Sequence, residues 1–302
     1  MSQDHSIGLD LDWIRGTGLD DDQVAERATR YSFSADGEPS TPAEKQALIK
    51  AVSCLDLTDL DVDGADGRIA ALCAAARAPF AGIPTRDPEP ETTVAAVCVF
   101  PAAVTRAGAE LADSAIPVAA ACGFPDGEVA AKRLVEEIRL ASIDGAREID
   151  AVVDRNLIVG ERWGELYDRV RVLREASTGL CLKIILRTGM LETSTNVARA
   201  SLASAMAGAD FIKTSTGMDP INATLEAGIA MAAAIRAYRV RTGFLVGLKP
   251  AGGLRSASDA LGWMRLGREE LGPEWNDPGL FRLGASSLLA ALRSRLIELE
   301  DS

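Results

Sequence analysis

From Lys50 onward the chain alternates short β-rich runs with longer Ala-rich stretches whose apolar residues recur at helical spacing. The predicted strands are AVSCLDL from Ala51, VAAVCVF from Val94, PVAAACGF from Pro117 and EIDAVVD from Glu148. They continue with CLKIIL from Cys181, DFIKTST from Asp210, FLVGLKP from Phe244 and LFRLGAS from Leu280. Helical stretches follow them, such as EVAAKRLVEEIRLASIDG from Glu128 and NATLEAGIAMAAAIRAYRV from Asn222. Eight strands, each followed by a helix, predict an α/β chain folded as a closed (β/α)8 TIM barrel. A doubly wound sheet is the alternative, but it usually stops near six strands and needs a Gly-rich turn after its first strand. Here the first strand runs into CLDLTDLDVDG with no GxGxxG, and no GxxxxGK[ST] occurs. Residues 1–47 follow a different pattern. They hold two helix-like pieces, around Leu9–Ile14 and Asp20–Tyr31, and then a loop, SFSADGEPSTP. The expected organisation is thus an N-terminal helical extension over 1–47 and a barrel catalytic domain over 48–302.

Composition fits this division. With 302 residues, 47% hydrophobic and only 5% aromatic, the chain can bury one large core and favours small-residue helix packing over an all-β sandwich. The net charge of −12 and pI near 4.7 argue against nucleic acid and anionic membranes as partners. Five cysteines in apolar runs without a CxxC pair read as buried free thiols of a reducing compartment. The first dozen residues, MSQDHSIGLDLD, do not form a secretion signal, and no apolar stretch approaches the ~20 residues of a membrane span. The expected location is the cytoplasm. The single histidine, His5, lies in the polar N-terminal tail. No zinc site and no histidine base is therefore expected, and acid–base chemistry falls to Lys, Asp, Glu or Tyr.

Charged residues inside the strands become the informative ones. A closed barrel has no edges, so each strand residue faces either the lumen or the surrounding helices, and a charge there needs a partner or a chemical role. Five qualify: Asp56, Asp150, Lys183, Lys213 and Lys249, on strands one, four, five, six and seven. All sit in the middle or later part of their runs, as sites built at the C-terminal mouth of a barrel require. A lysine is a nucleophile at neutral pH only if its pKa falls from about 10.4 to about 7–8. A second ammonium at ~4 Å and an effective dielectric of ~20 supplies about 4 kcal/mol, roughly the shift needed. Lys213 and Lys249 on adjacent strands are placed to form such a pair. The alternative is a structural role, with Asp150 neutralising them. Asp150 is the expected proton shuttle, with Asp154 further along the same face, or else a plain ion-pair partner. Lys183 either assists it or joins an ion-pair network with Arg187. Asp56 and Thr58 either bind substrate hydroxyls or cap a helix.

An acidic protein can still hold an anion through backbone dipoles. The seventh strand ends in KPAGGLR and the eighth in LGASSL at the opening of a helix, where barrels often bind phosphate. Gly252 and Gly253 would let the backbone approach a ligand, Ser286 and Ser287 would offer donors, and the TSTG turn ending at Gly217 would add more. Ordinary turn and cap duties are the alternative for all five.

Taken together, FIKTSTG, GLKPAGGLR, EIDAVVD, LKIIL followed by TG, AAVCVFP, GFPDG and FRLGASSLL resemble the 2-deoxyribose-5-phosphate aldolase family over nearly the whole chain. LDLDWI and KAVSCLDLT are similar to its longer, animal-type branch. The resemblance implies a barrel with neither metal nor organic cofactor, acting on a small sugar phosphate. The reaction would be reversible cleavage of 2-deoxy-D-ribose 5-phosphate to acetaldehyde and D-glyceraldehyde 3-phosphate. It further implies Lys213 as the Schiff-base lysine, Lys249 as the lysine that perturbs it, Asp150 as the proton relay and Lys183 as its assistant. Gly217, Gly252, Gly253, Ser286 and Ser287 would hold phosphate. Cys98 matches a cysteine near the acetaldehyde pocket, or is a core thiol. Two positions depart from the family pattern: Met218 stands where several members carry a lysine, and Arg187 where glutamate or alanine is usual. The second enzyme reading is a Schiff-base aldolase or dehydratase for another sugar phosphate, and the non-enzymatic reading is a silent scaffold barrel. Either a monomer or a homo-oligomer is compatible with the sequence.

Overall fold

The computed structural model describes residues 4–32, 42–61, 66–83 and 92–301. Eight parallel strands form the barrel: β1 Leu55–Asp59, β2 Ala96–Val99, β3 Val118–Cys122, β4 Glu148–Val152, β5 Cys181–Ile185, β6 Phe211–Lys213, β7 Gly247–Lys249 and β8 Leu283–Ala285. They run in the order β7-β6-β5-β4-β3-β2-β1-β8. Parallel bridges Leu248–Phe281 and Ala251–Gly284 join the two ends of that order into a ring. Every residue of β2, β3 and β4 is buried. That is the expected state of strands with a lumen on one side and helices on the other.

Among the described residues, twelve α-helices surround the strands: α1 Leu11–Gly16, α2 Asp21–Ala28, α3 Pro42–Ser53, α4 Asp66–Arg77, α5 Val104–Glu110 and α6 Ala131–Ile143, then α7 Arg155–Val159, α8 Trp163–Ala176, α9 Ser194–Met206, α10 Leu225–Thr242, α11 Ala257–Leu271 and α12 Leu288–Asp301. Residues 51–53 of the first predicted strand close α3 instead. Leu48, Ala51 and Val52 are all buried, and their i, i+3, i+4 spacing is that of a helix face. The seventh strand also begins later than predicted, leaving Phe244 and Leu245 exposed ahead of Gly247.

The two N-terminal helical pieces are α1 and α2, and the loop predicted after them falls outside the described residues between 33 and 41. The expected division after residue 47 lies inside α3. Ile14 and Val24 are buried in the same core as the barrel helices. The Tyr31 hydroxyl donates to Glu270 on α11 at 2.8 Å, and Tyr238 on α10 donates to the His5 carbonyl at 2.6 Å. The tail bearing His5 is thus docked against the barrel wall. The cysteines carry no disulfide, and four of the five are buried. Among the described residues no helix is long and apolar enough to cross a membrane.

Candidate active site

Alternation along β4 turns Glu148 and Asp150 to the same side, and parallel register does the rest. Asp150 pairs with Lys183 on β5, and Lys213 on β6 pairs with Lys249 on β7. In the lumen these side chains meet Asp56 from β1 and Arg282, which immediately precedes β8. Lys213 Nζ donates to Asp150 Oδ2 at 2.7 Å, and Lys249 Nζ donates to the same oxygen at 2.6 Å. Lys249 also donates to Asp56. Lys183 donates to Asp150 Oδ1 at 2.7 Å and to Glu148, with Asp56 at 3.6 Å. Arg282 donates to Asp56 Oδ1 at 2.5 Å and to Glu148 Oε1 at 2.9 Å.

Four basic groups therefore share three carboxylates, all of them buried. An unbalanced charge in such a place is costly, and the usual outcome is loss of a proton. Which basic group yields is decided by its partners. Lys183 faces three carboxylates, while Lys249 and Arg282 each face two. Lys213 has only Asp150.

The shifts follow this ranking. Burial and the nearby Lys249 ammonium lower the Lys213 pKa, against the opposing pull of Asp150. Burial also disfavours charge on Lys249 and Lys183, but their carboxylate partners outweigh it and lift both above the usual lysine value. Burial opposes ionisation of Asp150 as well, yet the three lysines hold its carboxyl well below the ordinary range. The sequence reading assigned the lowering of Lys213 to the second ammonium. Burial is the larger cause, and the two amines meet across a shared carboxylate oxygen rather than directly.

Lys213 is also the lysine with access to the outside. A cavity of about 950 Å³ opens at the C-terminal ends of the strands and is lined by Lys213, whereas Lys183 and Lys249 are fully buried beneath it. Thr58, Gly217, Gly252 and Ser286 line the same cavity, and Gly253 and Ser287 are exposed just outside its lining. Gly217 (φ +90°) and Gly252 (φ +81°) hold left-handed conformations that favour glycine, and their loops pack side by side at the mouth, a Cβ on Gly217 falling 3.9 Å from the Gly252 Cα. The Thr58 hydroxyl donates to the Asp56 carbonyl at 2.8 Å. Cys98 lies in the lumen, its Sγ 3.9 Å from Asp150, among Ala119, Ala121, Phe100 and Phe124. Burial pushes its thiol pKa up, which marks it as a neutral part of an apolar wall. The ring of Phe124 lies 5.8 Å from Lys213 Nζ.

Asp154, expected to follow Asp150, instead caps α7, because β4 ends at Val152 and the strand alternation stops there. Arg187 does not join the Lys183 network. It forms a two-pronged pair with Asp219, at 2.6 and 3.0 Å, that links the loops after β5 and β6. Met218, beside Asp219, lines the cavity with an exposed side chain. Glu148 and Arg282 were missed by the sequence reading, although each lies within a predicted strand run and meets the same test of a charge inside a barrel wall. Among the described residues, no cluster of His, Cys, Asp or Glu has the makings of a metal site.

Residues 56–292 match the DeoC/LacD family of aldolases. The deoxyribose-phosphate aldolases of Homo sapiens and Mus musculus are both 44% identical to this chain, each over 95% of it and 92% of the relative. A solved structure from Toxoplasma gondii superposes with a TM-score of 0.73 at 25% identity, covering 85% of this chain and 99% of the other. A deoxyribose phosphate aldolase from Aeropyrum pernix has the same fold, with a TM-score of 0.60 at 21% identity over 85% of this chain and 98% of its own. With the match running from the first barrel strand into the last helix, the chain belongs to the DeoC/LacD family of aldolases.

Proposed function

We propose that the protein is a Schiff-base aldolase that reversibly cleaves 2-deoxy-D-ribose 5-phosphate to D-glyceraldehyde 3-phosphate and acetaldehyde. The observation that carries this reading is Lys213, the one lysine of the buried cluster with a single carboxylate partner and an open cavity in front of it. The names of its relatives supply the substrate.

Neutral Lys213 attacks the C1 aldehyde, and loss of water leaves an iminium that withdraws electrons from the C2–C3 bond. That bond breaks as the C3 hydroxyl gives up its proton, releasing glyceraldehyde 3-phosphate and leaving an enamine. Protonation of the enamine carbon and hydrolysis then free acetaldehyde and the amine. Asp150 is the pivot for these protons. Its oxygens already accept from three lysines, so it acts through a water or the Lys183 ammonium rather than by holding a proton itself. The glycine-lined rim at Gly217 and Gly252, with Gly253, Ser286 and Ser287 beside it, is suited to the 5-phosphate.

The test is borohydride reduction in the presence of acetaldehyde, followed by peptide mass analysis. The two-carbon adduct is expected on Lys213, and an adduct on another lysine, or none, refutes the assignment. Met218 at the cavity wall, where a cation would aid phosphate binding, keeps a different aldehyde-forming sugar phosphate as the second reading. Rates for 2-deoxyribose with and without its phosphate, beside other sugar phosphates, separate the two.

A further inference from the structure

Arg282 lies beneath the lysines, lower in the barrel than any group facing the cavity, and touches none of the reacting positions. Its guanidinium is buried, and two of the three carboxylates of the cluster, Asp56 and Glu148, accept its hydrogen bonds. Its Nε is also engaged, by the Pro278 carbonyl at 2.5 Å. Among the described residues, the titratable groups facing this lumen come from seven of the eight strands or their first flanking residue. They are Asp56, Cys98, Glu148 and Asp150, Lys183, Lys213, Lys249 and Arg282, while β3 contributes only Ala119 and Ala121. Cys98 is neutral, so the balance rests on three carboxylates and four basic groups.

Arginine differs from the other three basic groups in one respect, since it does not give up its proton in a protein. Were the fourth position neutral, the three lysines and three carboxylates would balance with Lys213 charged and chemically inert. With a permanent cation there, balance requires one lysine to be neutral. The partner ranking makes that lysine Lys213. We propose that Arg282 is a positioning residue for the imine chemistry, the fixed charge that commits Asp56 and Glu148 and obliges Lys213 to stand as the free amine. The proposal rests on the reading of Lys213 as the imine-forming lysine. It acts through Asp56 to Lys249 and through Glu148 to Lys183, and both of those meet Asp150.

A charge role and a packing role make different predictions under paired substitution. Arg282→Met removes the cation and leaves three carboxylates facing three lysines. The pH midpoint for borohydride trapping of acetaldehyde on Lys213 is then expected to move up by about one pH unit or more. That is the scale of a unit charge acting over about 10 Å at an effective dielectric of about 20. Glu148→Gln alone removes an anion and is expected to leave the midpoint where it was or lower it. The double variant Arg282→Met/Glu148→Gln removes one charge of each sign and is expected to bring the midpoint back to the original value, although it disrupts packing more than either single change. A thermal unfolding scan of each variant accompanies the trapping. An unmoved midpoint in folded Arg282→Met overturns the proposal. So does a raised midpoint that the double variant fails to restore, which is what a packing role gives. If Arg282→Met does not fold, Arg282→Gln in the Glu148→Gln background provides the same balance, and a raised midpoint there overturns the proposal equally. Failure of the unaltered protein to label Lys213 removes the functional reading itself, whereas labelling with the wrong variant pattern removes only the role of Arg282.

Discussion

Replacing Lys249 by methionine tests whether its charge tunes Lys213 or merely fills space. The two amines share Asp150 Oδ2 at 2.7 and 2.6 Å, so they lie within two hydrogen-bond lengths of each other. At about 5 Å and an effective dielectric of about 20, two like charges repel by about 3 kcal/mol, equivalent to about 2 in pKa. Burial, the larger cause of the lowering at Lys213, survives the substitution, and Asp150 stays to favour the ammonium. The expected rise is therefore about 1–2. A group whose pKa rises in this way loses neutral amine at pH 7 by about ten- to a hundredfold, and the deficit closes as pH rises through the new value. Methionine keeps most of the side-chain volume, so packing changes little. The assay is kcat/KM for cleavage between pH 6 and 10, with trapping of acetaldehyde on Lys213 measured in parallel. The acidic limb of both profiles is expected to shift upward, with the variant approaching the parent at alkaline pH. A loss of the same size at every pH would show that Lys249 acts by some means other than its charge.

Other consequences are as concrete. Gly252→Ala places a Cβ 2.8 Å from Asn222 Oδ1 at φ +81°, so KM for 2-deoxyribose 5-phosphate is expected to rise at least about tenfold while the unphosphorylated sugar is little affected; an equal loss for both sugars would separate this loop from phosphate binding. Arg187→Ala strands Asp219 without its two-pronged partner and is expected to cost about 1–3 kcal/mol of stability, with KM raised several-fold and acetaldehyde trapping at Lys213 unchanged. Weakened trapping would mean that the loop pair reaches the amine itself. Asp56 and Asp150 both have pKa values held below the ordinary carboxylate range, so the stability they contribute is complete above about pH 4 and is lost as pH falls through their lowered values. Denaturant titrations from pH 6 down to pH 2.5 are expected to show stability falling below about pH 4, with uptake of at least about two protons on unfolding. A flat profile to pH 2.5 would contradict the buried pairing.

What the sequence shows of this molecule depends on how many neighbours each residue needs to declare itself. EIDAVVD reads as β4 to within two residues because both faces of that strand are buried and Asp150 stands out between apolar neighbours. The boundary of α3 and β1 does not read, since Leu48, Ala51 and Val52 complete a helical face while the same residues run unbroken into the apolar start of the strand. The lysines of β5, β6 and β7 were legible as charges where charge is costly. Glu148 and Arg282 satisfy the same criterion, but Glu148 opens its run and Arg282 falls just ahead of β8, away from the C-terminal mouth where catalytic groups gather. The glycine and serine doublets could be placed at the mouth but not resolved, because which member of a pair turns inward depends on loop conformation. The Arg187–Asp219 pair spans 32 residues and two loops, and nothing in either local sequence announces it.

The charge balance acts at more than one stage of the reaction. On the proposed reading, before substrate arrives the surplus of basic groups over carboxylates falls on Lys213, the lysine with one carboxylate partner and a lowered pKa, which favours its free amine. Condensation with an aldehyde and protonation of the imine restore a positive charge to the same nitrogen, and the neighbouring Asp150 carboxylate favours that iminium over the neutral imine. One route back to balance is for electrons to flow onto that nitrogen, which is what cleavage of the C2–C3 bond achieves when it yields a neutral enamine; the other, loss of the N–H proton, only returns the unreactive imine. The environment that lowers the affinity of Lys213 for a proton therefore also strengthens the electron demand of the intermediate. Asp150 keeps this demand in bounds, since its single contact with Lys213 is enough to let the iminium form. A second carboxylate at Lys213 would favour both cations, slowing imine formation by protonating the amine and slowing bond cleavage by stabilising the state that precedes it.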